Sequence, residues 1–120
     1  MLNTKATIQT QVCQSRLKAS RDAIEAVQGK WRIPILVCLS FGERKFGEIR
    51  KEIPDISPKM LSQELKLLEE NNLIHRKVQP STPVSIIYSL SALGMSMEKL
   101  LEELLQWGMH FRKESLKKND

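Results

Sequence analysis

Three polar side chains recur along one face of a predicted helix, and their types suit hydrogen bonding to base pairs. Lys59, Gln63 and Lys66 are spaced four and three residues apart, which places them on one side of an α-helix. A glutamine amide can pair with adenine through two hydrogen bonds, and a lysine can donate to guanine. Three leucines occupy the opposite side: Leu61, Leu65 and Leu68. The helix is therefore predicted to pack on one side and to present base-reading groups on the other.

The start of this helix is marked by Ser57 and Pro58. Serine is a favoured N-cap because its hydroxyl accepts a hydrogen bond from a free backbone N–H, and proline fits the first helical position. A shorter amphipathic helix is predicted at Phe46–Ile53, and the segment Pro54-Asp55-Ile56 breaks the chain between the two helices. Residues 46–71 are therefore predicted to form a helix-turn-helix.

Two β-branched segments follow the helix pair. Residues 73–78 and 84–90 have the composition of strands, and the prolines between them suit the tip of an antiparallel hairpin. Together they predict a β-wing at residues 73–90. A helix-turn-helix followed by a wing can place its second helix in the major groove of DNA. The predicted fold class is mainly α with a small antiparallel β-wing, a winged helix-turn-helix.

Double-stranded DNA is the partner that this layout favours, with some groups reading bases and others contacting the backbone. Gln63 is the main candidate for adenine, Lys59 for guanine and Met60 for a thymine methyl. The competing interpretation, a solvated helix face, is disfavoured by the helix-turn-helix context. Contacts to phosphates or groove edges are predicted for Ser57, Ser62, Lys66, Arg76, Lys77, Ser81 and Thr82. Backbone contact and simple solvation are equally good interpretations for Lys30, Arg32, Lys45 and Lys51.

The composition fits a single domain with an anionic partner. The chain has 120 residues, a formal net charge of +5 and a pI near 9.4. Cys13 and Cys38 provide neither a disulfide framework nor the paired ligands of structural zinc, so we expect a reducing compartment, no metal and no cofactor. The polar N-terminus and the lack of an apolar run of ~20 residues predict a cytoplasmic protein without membrane association.

Two other function classes were weighed against DNA binding. Catalysis is disfavoured because His75 and His110 are far apart in the sequence, and no catalytic triad pattern or glycine-rich phosphate loop occurs. A winged helix can also act as a protein–protein interaction module without DNA binding. Acidic residues on the exposed face of the second helix would favour that alternative. Only Glu70, at the far end of the face, is acidic, so DNA is preferred.

The N-terminal third divides into an arm and two helices. Residues 1–20 are polar and without clear periodicity, so they are predicted to be an arm that orders only against a partner. A short helix is predicted from Asp22, ended by Gly29, which can take the left-handed conformation. Residues 30–39 predict an apolar core helix, since Pro34 lies near its first turn. The folded domain is expected to span residues 21–120.

A long apolar helix is predicted at residues 91–113, capped by Ser91. Its apolar arc covers about half of the helical wheel, which is wider than the ~100° stripe of an ordinary surface helix. One side is expected to face the domain and another a second copy of the chain, although ordinary core packing is the simpler alternative. The charged tail Arg112–Asp120 is predicted to fray. The predicted dimer interface comprises Met97, Leu100, Leu101, Leu104, Leu105, Trp107 and Phe111.

Over residues 22–108 the sequence resembles the HxlR family of bacterial winged helix-turn-helix regulators, which are related to the MarR group. The resemblance is carried by several segments in a fixed order, and this order is more specific than any one segment. The segments are Gly29-Lys30-Trp31 with Ile35-Leu36; Lys45-Phe46-Gly47-Glu48-Ile49; residues 53–69; Asn72-Leu73-Ile74 with Arg76; and Pro83-Val84 with Tyr88-Ser89-Leu90 and Leu93-Gly94.

This resemblance implies a homodimer that binds an operator upstream of a regulated gene, with the first and last helices forming the interface. Repression is the commoner mode in such families, and an unidentified small-molecule or redox effector is a further implied partner. Many members carry an N-terminal cysteine that some use to sense oxidants. Cys13 is the candidate here, although it is followed by Gln14 and lies farther upstream than the family pattern. Arg16 and Lys18 are near enough in sequence to lower a thiol pKa.

Overall fold

The computed structural model describes residues 4–118, with side chains described for residues 7–117. Pairs of helices are separated by short strands along the described residues, and in the antiparallel sheet the strand that comes last in the sequence lies between the other two. The elements are α1 (Thr4–Val27), α2 (Arg32–Ser40), β1 (Arg44–Lys45), α3 (Phe46–Glu52), α4 (Pro58–Glu70), β2 (Ile74–Gln79), β3 (Ser85–Leu90), α5 (Ala92–Met95) and α6 (Glu98–Lys118). The predicted fold class, a mainly helical winged helix-turn-helix, is confirmed.

The core forms where α2, α3 and α4 meet the sheet. Helix α2 contributes Ile35 and Leu36, both fully buried, and α3 contributes Ile49. The leucine face of α4 is buried as its spacing predicts, with none of the three leucines more than 1% exposed. Burying such side chains stabilises the fold by roughly 1.5–3 kcal/mol each. The core therefore holds α4 rigidly by its apolar side.

The wing contains one strand more than the sequence predicted. Strands β2 and β3 pair in antiparallel register, from Ile74 opposite Leu90 to Gln79 opposite Ser85. The additional strand, β1, is only two residues long and pairs with the other edge of β3. A two-residue strand leaves no alternating pattern in the sequence, because side-chain alternation needs about four residues to show. This strand joins the wing to the start of α3.

The N-terminal helix is much longer than the sequence predicted. The helix expected from Asp22 begins at Thr4, so residues 4–20 of the predicted arm are helical rather than irregular, and residues 1–3 of that arm lie outside the described residues. The stretch lacks proline and glycine up to Gly29, so no residue with a strong penalty for the helical conformation interrupts it. Gly29 ends the helical region as predicted, with a φ of 98°. Apart from Ala26 and Val27, every side chain described in α1 is exposed.

The C-terminal region forms two helices rather than one. Ser91 caps α5 as predicted, since its hydroxyl accepts from the Gly94 N–H at 2.9 Å. The chain then turns at Ser96 before α6, which continues to Lys118 instead of fraying after residue 112. Lys117 and Glu114 form an ion pair of 3.4 Å in this last segment. Pairs at this spacing stabilise an exposed helix by a few tenths of a kcal/mol.

Candidate nucleic-acid interface

The site begins at the N-terminus of α4, where the chain leaves the tight break after α3. The Ser57 hydroxyl accepts a hydrogen bond from the Met60 N–H at 3.1 Å, and Pro58 occupies the first helical position. These are the N-cap and first-turn roles that the sequence predicted for both residues. The first turn of α4 is thus well satisfied: Pro58 has no N–H, the Met60 N–H donates to the Ser57 hydroxyl and the Leu61 N–H donates to the Ser57 carbonyl at 2.9 Å.

The outer face of α4 is polar and accessible. Lys59, Gln63 and Lys66 are all exposed, and Met60 is also exposed beside them. Because the opposite leucine face is locked in the core, these side chains project in one direction from a rigid helix. The structure therefore presents the three residues of the predicted base-reading set together on one surface.

A cleft between α4 and the wing gathers a second part of the predicted site. It has a volume of about 290 Å³ and is lined by Ser62, Lys66 and Glu69 from α4, Arg76 from β2 and Tyr88 from β3. Arg76 and Tyr88 are cross-strand partners, so both side chains lie on the sheet face that meets α4. The two cations and the two hydroxyls of this lining suit a phosphate oxygen, and the Glu69 carboxylate offsets part of the positive charge.

The remaining predicted wing residues lie apart from this cleft. Lys77 follows Arg76 on the same strand, and adjacent side chains of a strand point to opposite faces. Ser81 and Thr82 are exposed at the tip of the wing. The Ser81 hydroxyl donates to the Pro83 carbonyl at 2.6 Å, which stiffens that tip. The ten predicted contact residues thus divide into the α4 face, the cleft and the outer wing.

Two acidic residues near this surface were missed by the sequence analysis. Glu69 lines the cleft next to Lys66, and its position three residues after Lys66 is the signal that could have placed it there. Glu64 lies on α4 and forms a 3.0 Å ion pair with Arg32. The sequence left two interpretations open for Arg32, contact to the DNA backbone and simple solvation, and both are wrong because its guanidinium is largely buried in this ion pair.

The two cysteines differ sharply in environment. Cys38 is buried, and its thiol donates to Glu52 at 2.7 Å. Burial, together with the hydrogen bond to this carboxylate, raises the pKa of Cys38 to about 12, so the thiol stays protonated and unreactive near neutral pH. Donation from Cys38 and from Arg44 lowers the pKa of Glu52. Cys13 is exposed on α1, and its sensory role stays a prediction.

Most of the predicted dimer-interface residues are exposed on α6, but Leu101 is not. Leu101 is only 3% exposed because it packs into the core of its own chain, so its assignment to the interface is wrong. Met97 is half-buried against the same core. The other predicted residues remain accessible: Leu100, Leu104, Leu105, Trp107 and Phe111. The core-facing and outward-facing sides of this helix are therefore separate.

Neither a metal-binding group nor a membrane-spanning helix occurs among the described residues. Among the described residues there is no group of three or more histidine, cysteine or acidic side chains that could hold a metal ion. None of the helices in the described part of the chain combines the length and the apolar character needed to cross a membrane.

The comparisons with known proteins agree with this geometry. Residues 26–116 match the model of the HxlR-like helix-turn-helix family. The chain is 36% identical over 99 residues to the uncharacterized HTH-type transcriptional regulator YdzF of Bacillus subtilis (strain 168), covering 82% of this chain and 91% of YdzF. It is 39% identical over 82 residues to the HTH-type transcriptional regulator YodB of the same organism, covering 68% of this chain and 73% of YodB.

The fold is also similar to solved structures of transcriptional regulators. The reduced form of the redox regulator HypR superposes with a TM-score of 0.75 at 28% identity, covering 78% of this chain and 93% of HypR. The reduced form of YodB gives a TM-score of 0.68 at 36% identity, covering 76% of this chain and 89% of that one. These relatives are regulators rather than enzymes, as the sequence indicated. The chain belongs to the HxlR-like helix-turn-helix family of DNA-binding transcriptional regulators.

Proposed function

We propose that this protein is a cytoplasmic, homodimeric repressor that binds a pseudo-palindromic operator in double-stranded DNA through α4 and the wing. The observation that carries the proposal is the exposed Lys59, Gln63 and Lys66 face of α4, backed by a leucine face that is fully committed to the core. A rigid helix with amide and ammonium groups on its outer side suits the major groove. Occupation of an operator near a promoter then blocks transcription.

The support for a homodimer is an apolar surface that the single chain leaves uncovered. Leu100, Leu104, Trp107 and Phe111 follow one another on α6 at intervals of four, three and four residues, and all are exposed. The rings of Trp107 and Phe111 stack at a centroid distance of 5.2 Å. Monomeric proteins rarely expose contiguous apolar patches of this kind. A second copy of the chain is the occupant that we propose for this stripe.

The exposed surface of α1 adds to the same argument. Four large apolar side chains of this helix are each more than half exposed: Ile8, Val12, Leu17 and Ile24. With α1 and α6 both projecting, the longest dimension of the chain is 72 Å. A two-fold dimer would bury both helices and would place the two α4 helices one DNA turn apart, about 34–36 Å, which gives an operator with two related halves.

The proposal is tested by fluorescence anisotropy of the purified protein against duplexes that tile the DNA upstream of its own gene. A scrambled duplex and two salt concentrations serve as controls. We expect one tile to bind far more tightly than the scrambled duplex and to bind more weakly at high salt, because phosphate contacts release counterions. Equal, weak binding to every tile would contradict specific binding at this locus.

Gln63 is expected to supply base discrimination. Replacing it with alanine removes the amide that can pair with adenine, so the penalty for substituting the contacted base pair should fall by about 1–3 kcal/mol. The measurement is anisotropy on the operator and on a set of single-base variants. An unchanged pattern of penalties in Gln63→Ala would remove this residue as a reader. Glu70→Gln, which changes an exposed side chain at the far end of α4, is the matched control.

Arg76 is expected to supply affinity without sequence information. Its cleft position beside Lys66 suits a phosphate, so Arg76→Ala should weaken binding to operator and scrambled duplexes by the same factor. Losing one phosphate contact should also flatten the slope of log K against log salt by about 0.9. The measurement is the salt titration of both duplexes. A loss confined to the operator would instead assign Arg76 to base reading.

A further inference from the structure

Arg32 connects three elements of the fold with one side chain. Its Nε donates to Glu64 Oε2 on α4 at 3.0 Å. Its Nη1 donates to the carbonyl oxygens of Glu25 and Ala26, at 2.9 and 3.3 Å, in the last turn of α1. The Arg32 and Glu64 side chains are only 13% and 17% exposed. The end of α1, the start of α2 and the middle of α4 are thus joined through a largely buried ion pair.

Little else holds α1 against the domain. Its side chains from residue 7 to residue 25 are exposed, and only Ala26 and Val27 pack against the core. A cleft of about 380 Å³ separates the end of α1 from the end of α4, with Asp22 and Glu25 on one side and Leu67 and Asn71 on the other. Arg32 also lines this cleft. Side-chain packing therefore does not fill the gap, and Arg32 spans it.

The chemistry of the junction suits an arginine better than a lysine. The last carbonyl groups of a helix have no intrahelical partner and carry partial negative charge, so they attract a cation. A guanidinium has five N–H donors in a rigid fork and can bind these carbonyls and a carboxylate at once. A lysine ammonium has three N–H donors, but all of them are on one atom, so it matches carbonyls and a carboxylate at separate points less well than the wide guanidinium fork does.

Arg32 contacts α1 only at its last turn, so most of this long helix extends beyond the junction. Cys13 is fourteen residues before Val27, which corresponds to about 20 Å along an α-helix. A small rotation at Arg32 therefore moves the N-terminal half of α1 a long way relative to α4. At the other end of the ion pair, Glu64 is the residue next to Gln63 on α4. The same side chain thus relates the direction of α1 to the outward face of α4.

We propose that Arg32 is a positioning residue that fixes the angle between α1 and α4, and through it the separation of the two α4 helices in the dimer. The second half of this inference rests on the homodimer and operator proposed above. The angle between α1 and α4 is a property of one chain and can be measured without DNA. The angle and the separation of the α4 helices therefore need separate experiments.

The angle is followed through a distance, which double electron–electron resonance measures between nitroxide labels at Cys13 and at Glu70→Cys. Position 70 is exposed at the end of α4. Labelled chains are diluted with unlabelled protein so that only distances within a chain contribute. Cys38 is buried and protonated, so it stays unlabelled. We expect a narrow distance distribution in the parent and a clearly broader one in Arg32→Gln, with Arg32→Lys between them. Thermal unfolding of each variant checks that the domain is folded.

The matched control is Arg44→Gln. Arg44 forms a similar ion pair, 2.9 Å from Nε to Glu52 Oε1, which has no connection to α1. We expect this variant to keep the narrow distribution. A distribution in Arg32→Gln as narrow as in the parent would overturn the proposal.

The consequence for DNA is measured on the operator and on duplexes whose half-sites are moved apart or together by one base pair. We expect the affinity penalty for altered spacing to shrink several-fold in Arg32→Gln and to stay unchanged in Arg44→Gln. An unchanged penalty in Arg32→Gln would overturn the assignment of spacing control to this residue. If the parent binds no duplex specifically, the DNA-binding proposal fails, while the spin-label distances still decide the angle.

Discussion

Replacing Gly94 with alanine is expected to destabilise the domain by about 3 kcal/mol or more, since overpacking a dense core costs ~1–3 kcal/mol and this contact is extreme. A Cβ built on Gly94 lies 2.1 Å from the Leu73 carbonyl oxygen. The carbonyl cannot move away freely, because it accepts from the Ser91 N–H at 3.0 Å and Leu73 is buried. The loss should lower the melting temperature by roughly 10 °C or more, measured by circular dichroism.

Helix propensity alone predicts the opposite sign, so the variant discriminates between two effects. Alanine is favoured over glycine in a helix by about 1 kcal/mol. Gly47 in α3 provides the control, because a Cβ there meets nothing within 4 Å. Gly47→Ala should therefore leave the melting temperature unchanged or raise it. A Gly94→Ala protein that melts within a few degrees of the parent would show that the α5 backbone can retreat from Leu73.

Replacing Trp107 with glutamate is expected to convert the dimer into a folded monomer and to reduce operator affinity at least a hundredfold. The side chain is 60% exposed in the single chain, so the monomer loses little by the change. In the proposed dimer the carboxylate would be buried without a partner, which costs several kcal/mol. Light scattering after size exclusion reports the mass, and anisotropy on the operator reports the affinity.

Met109 offers a matched control for this charge. It is 72% exposed on α6, two residues from Trp107, and therefore lies on a different side of the helix from the stripe at Leu100, Leu104, Trp107 and Phe111. Met109→Glu introduces the same charge at a nearby position on the same helix, and we expect the variant protein to remain dimeric. Dissociation in both variants would mean that net charge, rather than this stripe, controls association.

The elements that the sequence predicted well are those whose signals are local. Ser57 and Pro58 defined the start of α4, and the leucine spacing defined its buried side, because capping and amphipathic periodicity act within a few residues. The residues of the polar face followed from the same helical geometry. This part of the candidate site could therefore be placed before any tertiary structure was known.

The elements that the sequence missed depend on contacts between distant residues. Strand β1 exists only because Arg44 and Lys45 meet the free edge of β3, and a two-residue pairing has no periodicity of its own. The ion pair between Arg32 and Glu64 joins residues 32 positions apart, so neither partner could be identified from its neighbours. The length of α1 was missed because its exposed surface lacks the one-sided apolar pattern that marks a packed helix.

Glu69 in the cleft between α4 and the wing has a consequence for how this regulator searches a genome. Its carboxylate repels any phosphate that approaches Lys66 and Arg76, so backbone attraction at this point is weakened equally for every DNA sequence. A search among millions of competing sites depends on the ratio of specific to unspecific affinity, and a penalty that is equal for every sequence leaves this ratio unchanged. An acid beside the two cations proposed to contact phosphates would therefore shorten the stay at wrong sites and at the operator by the same factor. It would make the exchange between sites faster, while the choice among them would be left to the bases.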